Sequence, residues 1–350
     1  MKKILFLISL LINGVLFAQI PAYYSNVNLT LTGMALKAEL AQKITNTHTT
    51  LLQYGDIWST LQQTDLDPTN SNKVLLIYGY DDGDGNPTTD RTRNKNNYGG
   101  NIGDWNREHV YAQSLATPNL TTSSPNAGTD AHHLRSSDVQ MNGDRGNREF
   151  ATGSGNAGNV GAYWFPGEEW KGDVARMMMY MYLRYSTQCL PNNVGIGSSV
   201  AIDPPMIDLF LQWNAADTVS LYEKNRNNLL ETIQGNRNPF IDNPYLATII
   251  WSGTPAQDNW NMTAVNENEI NNVFTVYPVP TNNGTITLSF LKTEKVTSIK
   301  LYNLSGQIVQ EEIYPTISNQ ELIINNLPKG LFFLTVNTNQ TISTKKIAVN

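Results

Sequence analysis

A single cysteine, Cys189, in a chain of 350 residues excludes an intramolecular disulfide. If such a chain is exported, core packing and bound ions must supply what cross-links supply elsewhere. Cys189 follows an apolar helical pattern and reads as a buried small hydrophobe, not a nucleophile. Charged residues are few, at 15%, and the net charge of −6 excludes a histone-like or polybasic nucleic-acid binder. It does not exclude chemistry on a polyanion, because a divalent cation and a few arginines offset phosphate charge locally. Histidine is scarce too, with four in all: His48, His109, His132 and His133.

What is present begins with an export signal. Lys2 and Lys3 precede an apolar run over 4–17, and Ala18 is a small residue suited to a cleavage site. Leu16 departs from the small-x-small pattern, so residues 1–18 are expected to be a signal peptide with a loosely defined cut. The run is short for a membrane span and no cysteine follows it for a lipid anchor, so the mature protein is expected to be secreted, without a membrane span.

Leu36, Leu40 and Ile44 share one helical face. Asp56 can cap a short helix carrying Trp58 and Leu61. Residues 73–80 read as a buried strand, followed by an acidic loop over 81–86 that is either a solvated turn or a calcium site. Arg91, Arg93 and Lys95 are either polyanion contacts or surface charge. Helical spacing returns over 171–185, where Met177, Met178 and Met179 are expected to pack in the core. Further helices are expected at 206–213, after a cap at Asp217 ending at Gly235, and from Asn243-Pro244 to Trp251. Residues 252–272 are polar and asparagine-rich, as a linker would be. Beyond them, short strand-like runs at 285–291, 297–304, 307–311, 321–324, 331–336 and 341–349 imply a small β-sandwich with no chemistry of its own.

Polar groups are densest over 105–147, which holds three of the four histidines. If 103–111 is extended, Glu108 and His109 point to opposite faces and can take separate roles. A carboxylate is a hard ligand for Mg²⁺ or Ca²⁺, and a neutral imidazole can take a proton from water. Ser136 or Ser137 can cap a helical turn reaching Asn142, with Asp138 and Asn142 on one face. His109, His132 and His133 could instead ligate zinc, although the His-Glu-x-x-His spacing is missing.

Asn106-Arg107-Glu108-His109-Val110, Asp130-Ala131-His132-His133-Leu134 and the segment from Val139 to Asn147 resemble the motifs of the endonuclease I family. These are secreted, non-specific nucleases of the His-Me finger (ββα-metal) group. Segments 169–176 and 235–242 extend the likeness across 36–251. The resemblance implies an α+β chain: a mainly helical catalytic domain over 19–251 built around a ββα-metal finger, then the linker and an all-β sandwich over 273–350. It implies His109 as general base, Glu108 and Asn142 as ligands of one Mg²⁺ (or Ca²⁺ or Mn²⁺), and His132 as support behind them. Substrates would be DNA and RNA, cut with little sequence preference by a monomer. The sequence departs from the family where some members place a phosphate-clamping arginine, since 112–132 holds no Arg or Lys. Arg107, Arg135 and Arg145 are the replacements to test.

The tail, with Tyr277-Pro278-Val279-Pro280, Leu327-Pro328-Lys329-Gly330 and a Lys345-Lys346 ending, resembles a type IX secretion sorting domain, so the secretion machinery is an expected partner. Rival readings are an accessory carbohydrate-binding sandwich for the tail and, for the whole chain, an inert surface-binding protein or a zinc-dependent hydrolase of another substrate.

Overall fold

Helix α1 (Gly33–Thr47) buries Leu36, Leu40 and Ile44 along one stripe, as their four-residue spacing predicts. The structure is a computed structural model that describes residues 20–262, 274–290, 295–303, 307–338 and 342–350. The signal peptide expected at 1–18 lies outside the described residues. Two compact units divide at Met262 and Thr263.

In the first unit, helices α2 (Ile57–Thr64), α3 (Val139–Arg145), α4 (Lys171–Arg184), α5 (Asp208–Ala216), α6 (Leu221–Gln234), α7 (Pro239–Asp242) and α8 (Tyr245–Trp251) follow α1. Helix α4 is the centre of the packing: every residue from Gly172 to Leu183 is buried, which accounts for its three consecutive methionines. Helices α1, α5 and α7 pack against it. Cys189 is buried and free, and burial pushes its thiol up, away from reactivity.

Several expected helix starts shift because a different polar group satisfies the free amides. Helix α6 is capped by Ser220 and Glu223, each accepting from the other's backbone N–H. Asp217 instead accepts from the Gly172 amide at 2.9 Å. Gly235, at φ 94°, ends α6 in the left-handed conformation a glycine favours. Asp56 precedes α2 but accepts from Gln53 N rather than capping. Residues 203–207, partly counted as helix from sequence, are a strand.

Strands of the first unit are short: β1 (Leu66–Asp67), β2 (Asn70–Leu75), β3 (Thr92–Asn94), β4 (Trp105–His109), β5 (Leu134–Asp138), β6 (Gly158–Val160), β7 (Tyr163–Phe165), β8 (Ser199–Val200) and β9 (Asp203–Ile207). The strand expected over 73–80 stops at Leu75. Leu76 and Ile77 then hydrogen-bond to Arg91 O and Ser136 O, and Tyr78 turns at φ 73°. Strands β4 and β5 pair antiparallel, with Glu108 opposite Arg135 and His109 opposite Leu134. Helix α3 follows β5 directly. Its cap is Asp138, whose Oδ1 accepts from Gln140 N and Met141 N, not Ser136 or Ser137, which lie inside the strand.

The second unit is all β. Strands β10 (Phe274–Tyr277), β11 (Ile286–Phe290) and β14 (Glu321–Ile324) form one sheet. Strands β13 (Ile308–Ile313), β12 (Val296–Tyr302), β15 (Gly330–Thr338) and β16 (Ile342–Val349) form the other, in that order. Phe274, Leu288 and Ile324 from the first meet Ile299, Leu334 and Ile347 from the second in one core. Strand β10 went unread in the sequence because its four residues follow directly on the asparagine-rich linker.

Candidate active site

Two backbone devices fix the site. One is the β4–β5 pairing. The other is the buried guanidinium of Arg226, which bonds Thr64 Oγ1, the Asp65 carboxylate and the carbonyls of Ala131 and Leu134. Asp65 in turn accepts from Ser136 N at 2.7 Å. The start of β5 is thereby tied to α2 and α6 through charge-assisted bonds, which are among the stronger ones available in a low-dielectric interior.

At the end of β4, Arg107, Glu108 and His109 join Gln113, Asn142, Arg145 and Asn147 around an open cleft of about 350 Å³. His109 Nε2 donates to the carbonyl of Gly128 at 2.8 Å, so the neutral ring carries its lone pair on Nδ1. The Gln113 amide nitrogen lies against the ring, 3.1 Å from Nε2 and 3.3 Å from Nδ1. Gly128 holds its carbonyl there in a turn that only glycine fits, because a Cβ would fall 2.2 Å from Thr121 O. Burial, with His133 beside it, pushes the His109 pKa down to about 3, so the imidazole is neutral at ordinary pH.

Glu108 is 2% exposed, and burial raises its pKa although Arg145 and Tyr78 pull the other way. Its Oε1 accepts from Tyr78 Oη at 3.0 Å and Arg145 Nη1 at 3.2 Å. Asn142 stands on α3 facing β4 and donates through Nδ2 to Asn106 Oδ1 at 2.7 Å, which leaves its own amide oxygen as the acceptor.

The three arginines separate clearly. Arg135 is fully buried between Asp65 and Asp173 and packs on Trp170 and Tyr222, so no phosphate reaches it. Arg145 lines the cleft, but its Nη atoms are committed to Glu108 and the carbonyls of His109, Val110 and Gly146. Arg107 is half-buried at the cleft wall, its guanidinium carbon 3.5 Å from the centre of the Tyr54 ring and 4.0 Å from that of Trp58. It spends Nη1 on Tyr54 O.

Other expectations change. His133, not His132, packs against His109, with ring centres 5.5 Å apart and its own Nε2 donating to Ala127 O. His132 stacks on Tyr180 at 4.3 Å and belongs to a buried cluster around Asp130. The zinc arrangement therefore fails on geometry: His109 and His133 each have Nε2 on a carbonyl, and His132 sits apart with Asn236. Among the described residues no group of three or more His, Cys, Asp and Glu is placed to hold a metal ion, the acidic loop over 81–86 included. Asp82 and Asp84 accept instead from Thr92, Thr89 and Asn86. Arg91 pairs with Glu169, and Arg93 is buried on Asp138. Tyr54, Tyr78 and Arg226 carry no local signal because each reaches the site from a distant segment, and Gly128, though inside 105–147, is marked only by its bond to His109. A conserved-looking spacing could not have found them; only the tertiary fold brings them in.

Buried neutral histidines make the fold acid-sensitive. His132 and His133 have pKa values pushed down to about 4 by burial, against 6.5 when unfolded. The unfolded chain therefore binds more protons below pH 6.5. The contribution of these two groups is constant above that pH and falls by up to about 1.4 kcal/mol per pH unit for each histidine as pH drops toward 4. Urea titrations from pH 8 to 4 measure this; a flat midpoint across the range would contradict it.

Comparison with known proteins places this geometry. Residues 32–245 match the endonuclease I family, and residues 275–350 match a secretion system C-terminal sorting domain. An extracellular ribonuclease from Bacillus subtilis is 39% identical over 256 residues, 70% of this chain and 83% of that protein. An extracellular ribonuclease from Bacillus amyloliquefaciens is 42% identical over 230 residues, covering 63% of this chain and 74% of that protein. Among solved structures, an immunoglobulin-like β-sandwich protein from Bacteroides vulgatus covers 21% of this chain and 83% of its own, at 18% identity and a TM-score of 0.18. With the family match spanning more than half of its length, the chain belongs to the endonuclease I family.

Proposed function

We propose that the cleft hydrolyses phosphodiester bonds of RNA and DNA with little sequence preference, using His109 as general base and one divalent cation held by Glu108 and Asn142. The protein is a secreted nuclease by family and by relatives. The observation that carries the mechanism is the His109 Nε2–Gly128 O bond, which leaves Nδ1 to accept a proton beside Glu108 and Asn142. The names of the two relatives support RNA as a substrate.

His109 Nδ1 takes a proton from water as the water oxygen bonds to phosphorus, and the bond from phosphorus to the 3′ oxygen breaks, that oxygen taking a proton from solvent, leaving a 5′-phosphate and a 3′-hydroxyl. Strands β4 and β5 with α3 would then serve as the ββα-metal finger. The donor set fits the ion: a buried carboxylate and an amide oxygen whose N–H₂ is already engaged are hard oxygen ligands. Mg²⁺ suits a site offering so few protein ligands, with Ca²⁺ or Mn²⁺ as substitutes, because it keeps several waters. Such an ion would stabilise charge on the phosphate and the departing oxygen. Arg107 is the remaining cation at the cleft wall and holds the phosphate there. The enzyme acts as a monomer, and its tail is read by the type IX secretion machinery. No helix among the described residues is long and apolar enough to cross a membrane.

Matched single-stranded RNA and DNA, assayed with Mg²⁺ and then with EDTA, test this. EDTA should abolish cleavage of both, and Glu108→Gln should raise the Mg²⁺ needed for half-maximal rate by at least roughly tenfold. Undiminished cutting in EDTA would remove the ion from the mechanism.

A further inference from the structure

Beyond the cleft, the ring of His109 begins a row of π-faces whose outer members, Tyr54, Trp58 and Tyr98, none of the steps above uses. Tyr54 lies 5.6 Å from the His109 ring. The Arg107 guanidinium sits on Tyr54 at 3.5 Å and against Trp58 at 4.0 Å. Trp58 continues to Tyr98 at 5.0 Å, tilted by 32°. The row runs outward from buried to open: His109 is 9% exposed, Tyr54 and Trp58 are half-buried, and Tyr98 is 42% exposed.

The row is held rigidly. Gln62 on α2 donates to Lys95 O and Asn96 Oδ1, and Gly99 N donates to Trp105 O, so the loop bearing Tyr98 is fixed between α2 and β4. Trp105 packs against both Trp58 and Tyr98 from beneath. An exposed aromatic ring on a fixed loop carries little entropy to lose when a flat ligand stacks on it.

We propose that Tyr54, Arg107, Trp58 and Tyr98 form a nucleotide subsite leading away from the cleft, in which the open face of Tyr98, backed by Trp58 and Trp105, stacks an unpaired base of the bound strand. The inference rests on the nuclease reading and deepens it by naming the strand form. A cation held between two rings suits a phosphate flanked by bases, since aromatic faces and a guanidinium together are how unpaired strands are gripped without reading their sequence. Bases inside a duplex are stacked on one another and cannot reach such a shelf. Single-stranded RNA and DNA are therefore taken ahead of duplex, and the four bases nearly alike.

The test uses the full chain and three oligonucleotides: a single strand, the same strand with one abasic residue scanned outward from a defined cleavage position to the nucleotide that meets Tyr98, and a duplex. Tyr98→Ala should raise KM on the base-bearing single strand by roughly five- to thirtyfold with kcat little changed, the size expected for one lost base stack. It should leave cleavage of the strand abasic at that nucleotide, and of the duplex, as in the unsubstituted enzyme. Tyr98→Phe should restore KM, because the ring face and not the hydroxyl is used. Equal loss on all three substrates, or no loss on the base-bearing strand, overturns the subsite while the nuclease reading stands. An unsubstituted enzyme that cuts none of them overturns both.

Discussion

Replacing His109 by alanine is expected to lower kcat on single-stranded RNA by roughly 10²- to 10⁴-fold, the range for loss of a positioned general base. KM should change little, because the ring's one donor is spent on Gly128 O and the general-base role of Nδ1 is directed at water, not at binding the strand. The ring closes part of an open cleft, so its removal leaves a space that small bases can enter from solvent. Added imidazole should then recover part of the rate, which a purely structural role for His109 would not allow. A variant cutting within tenfold of the unsubstituted rate would rule out His109 as the base. Near-ultraviolet circular dichroism checks that the aromatic packing around Tyr54 and His133 survives.

The second large effect is on stability. Arg226 is 1% exposed and is the shared partner of Thr64, Asp65 and two backbone carbonyls of the segment leading into β5. Arg226→Ala strands the Asp65 carboxylate with Arg135 as its remaining cation, 3.5 Å away. Removing one member of a buried ion pair costs about 3–5 kcal/mol. In a domain of this size that corresponds to a fall in Tm of roughly 10 °C. Thermal unfolding measures it, and the double change Arg226→Met with Asp65→Asn should recover part of the loss, since it leaves no unpaired carboxylate while the amide oxygen still accepts from Ser136 N. A shift in Tm of under a degree or two for Arg226→Ala would show that the two carbonyls and Asp65 find other partners.

The sequence was legible wherever a local pattern decided the outcome. Helices α1 and α4 follow from their apolar spacing, and most of the tail strands from alternation between turn residues. The candidate pair Glu108-His109 stood out because scarce residue types fall together in one segment, and the structure brings both to one cleft. What escaped reading was decided by partners far along the chain. Two adjacent histidines look alike in sequence, yet the short turn over Ala131–His133 sends one toward His109 and the other toward Tyr180. Arg135 and Arg107 both border the motif, but Asp65 and Asp173 claim the first while Tyr54 and Trp58 hold the second at the surface of the cleft. Side-chain caps were misplaced at α3 and α6 for the same reason: Ser136, Ser137 and Asp217 had stronger claims from the sheet and from α4.

The pairing of β4 with β5 has a consequence for how this chain can change. Strand register alternates faces with a period of two, so one residue added inside β4 would turn Glu108 and His109 each to the face opposite the one it now occupies. Residues added to the outer part of the connection between them, before the turn over Ala127–Thr129, carry no such penalty, because Arg226 and Asp65 set where β5 begins. The two halves of the site can thus drift apart along the gene without moving apart in space.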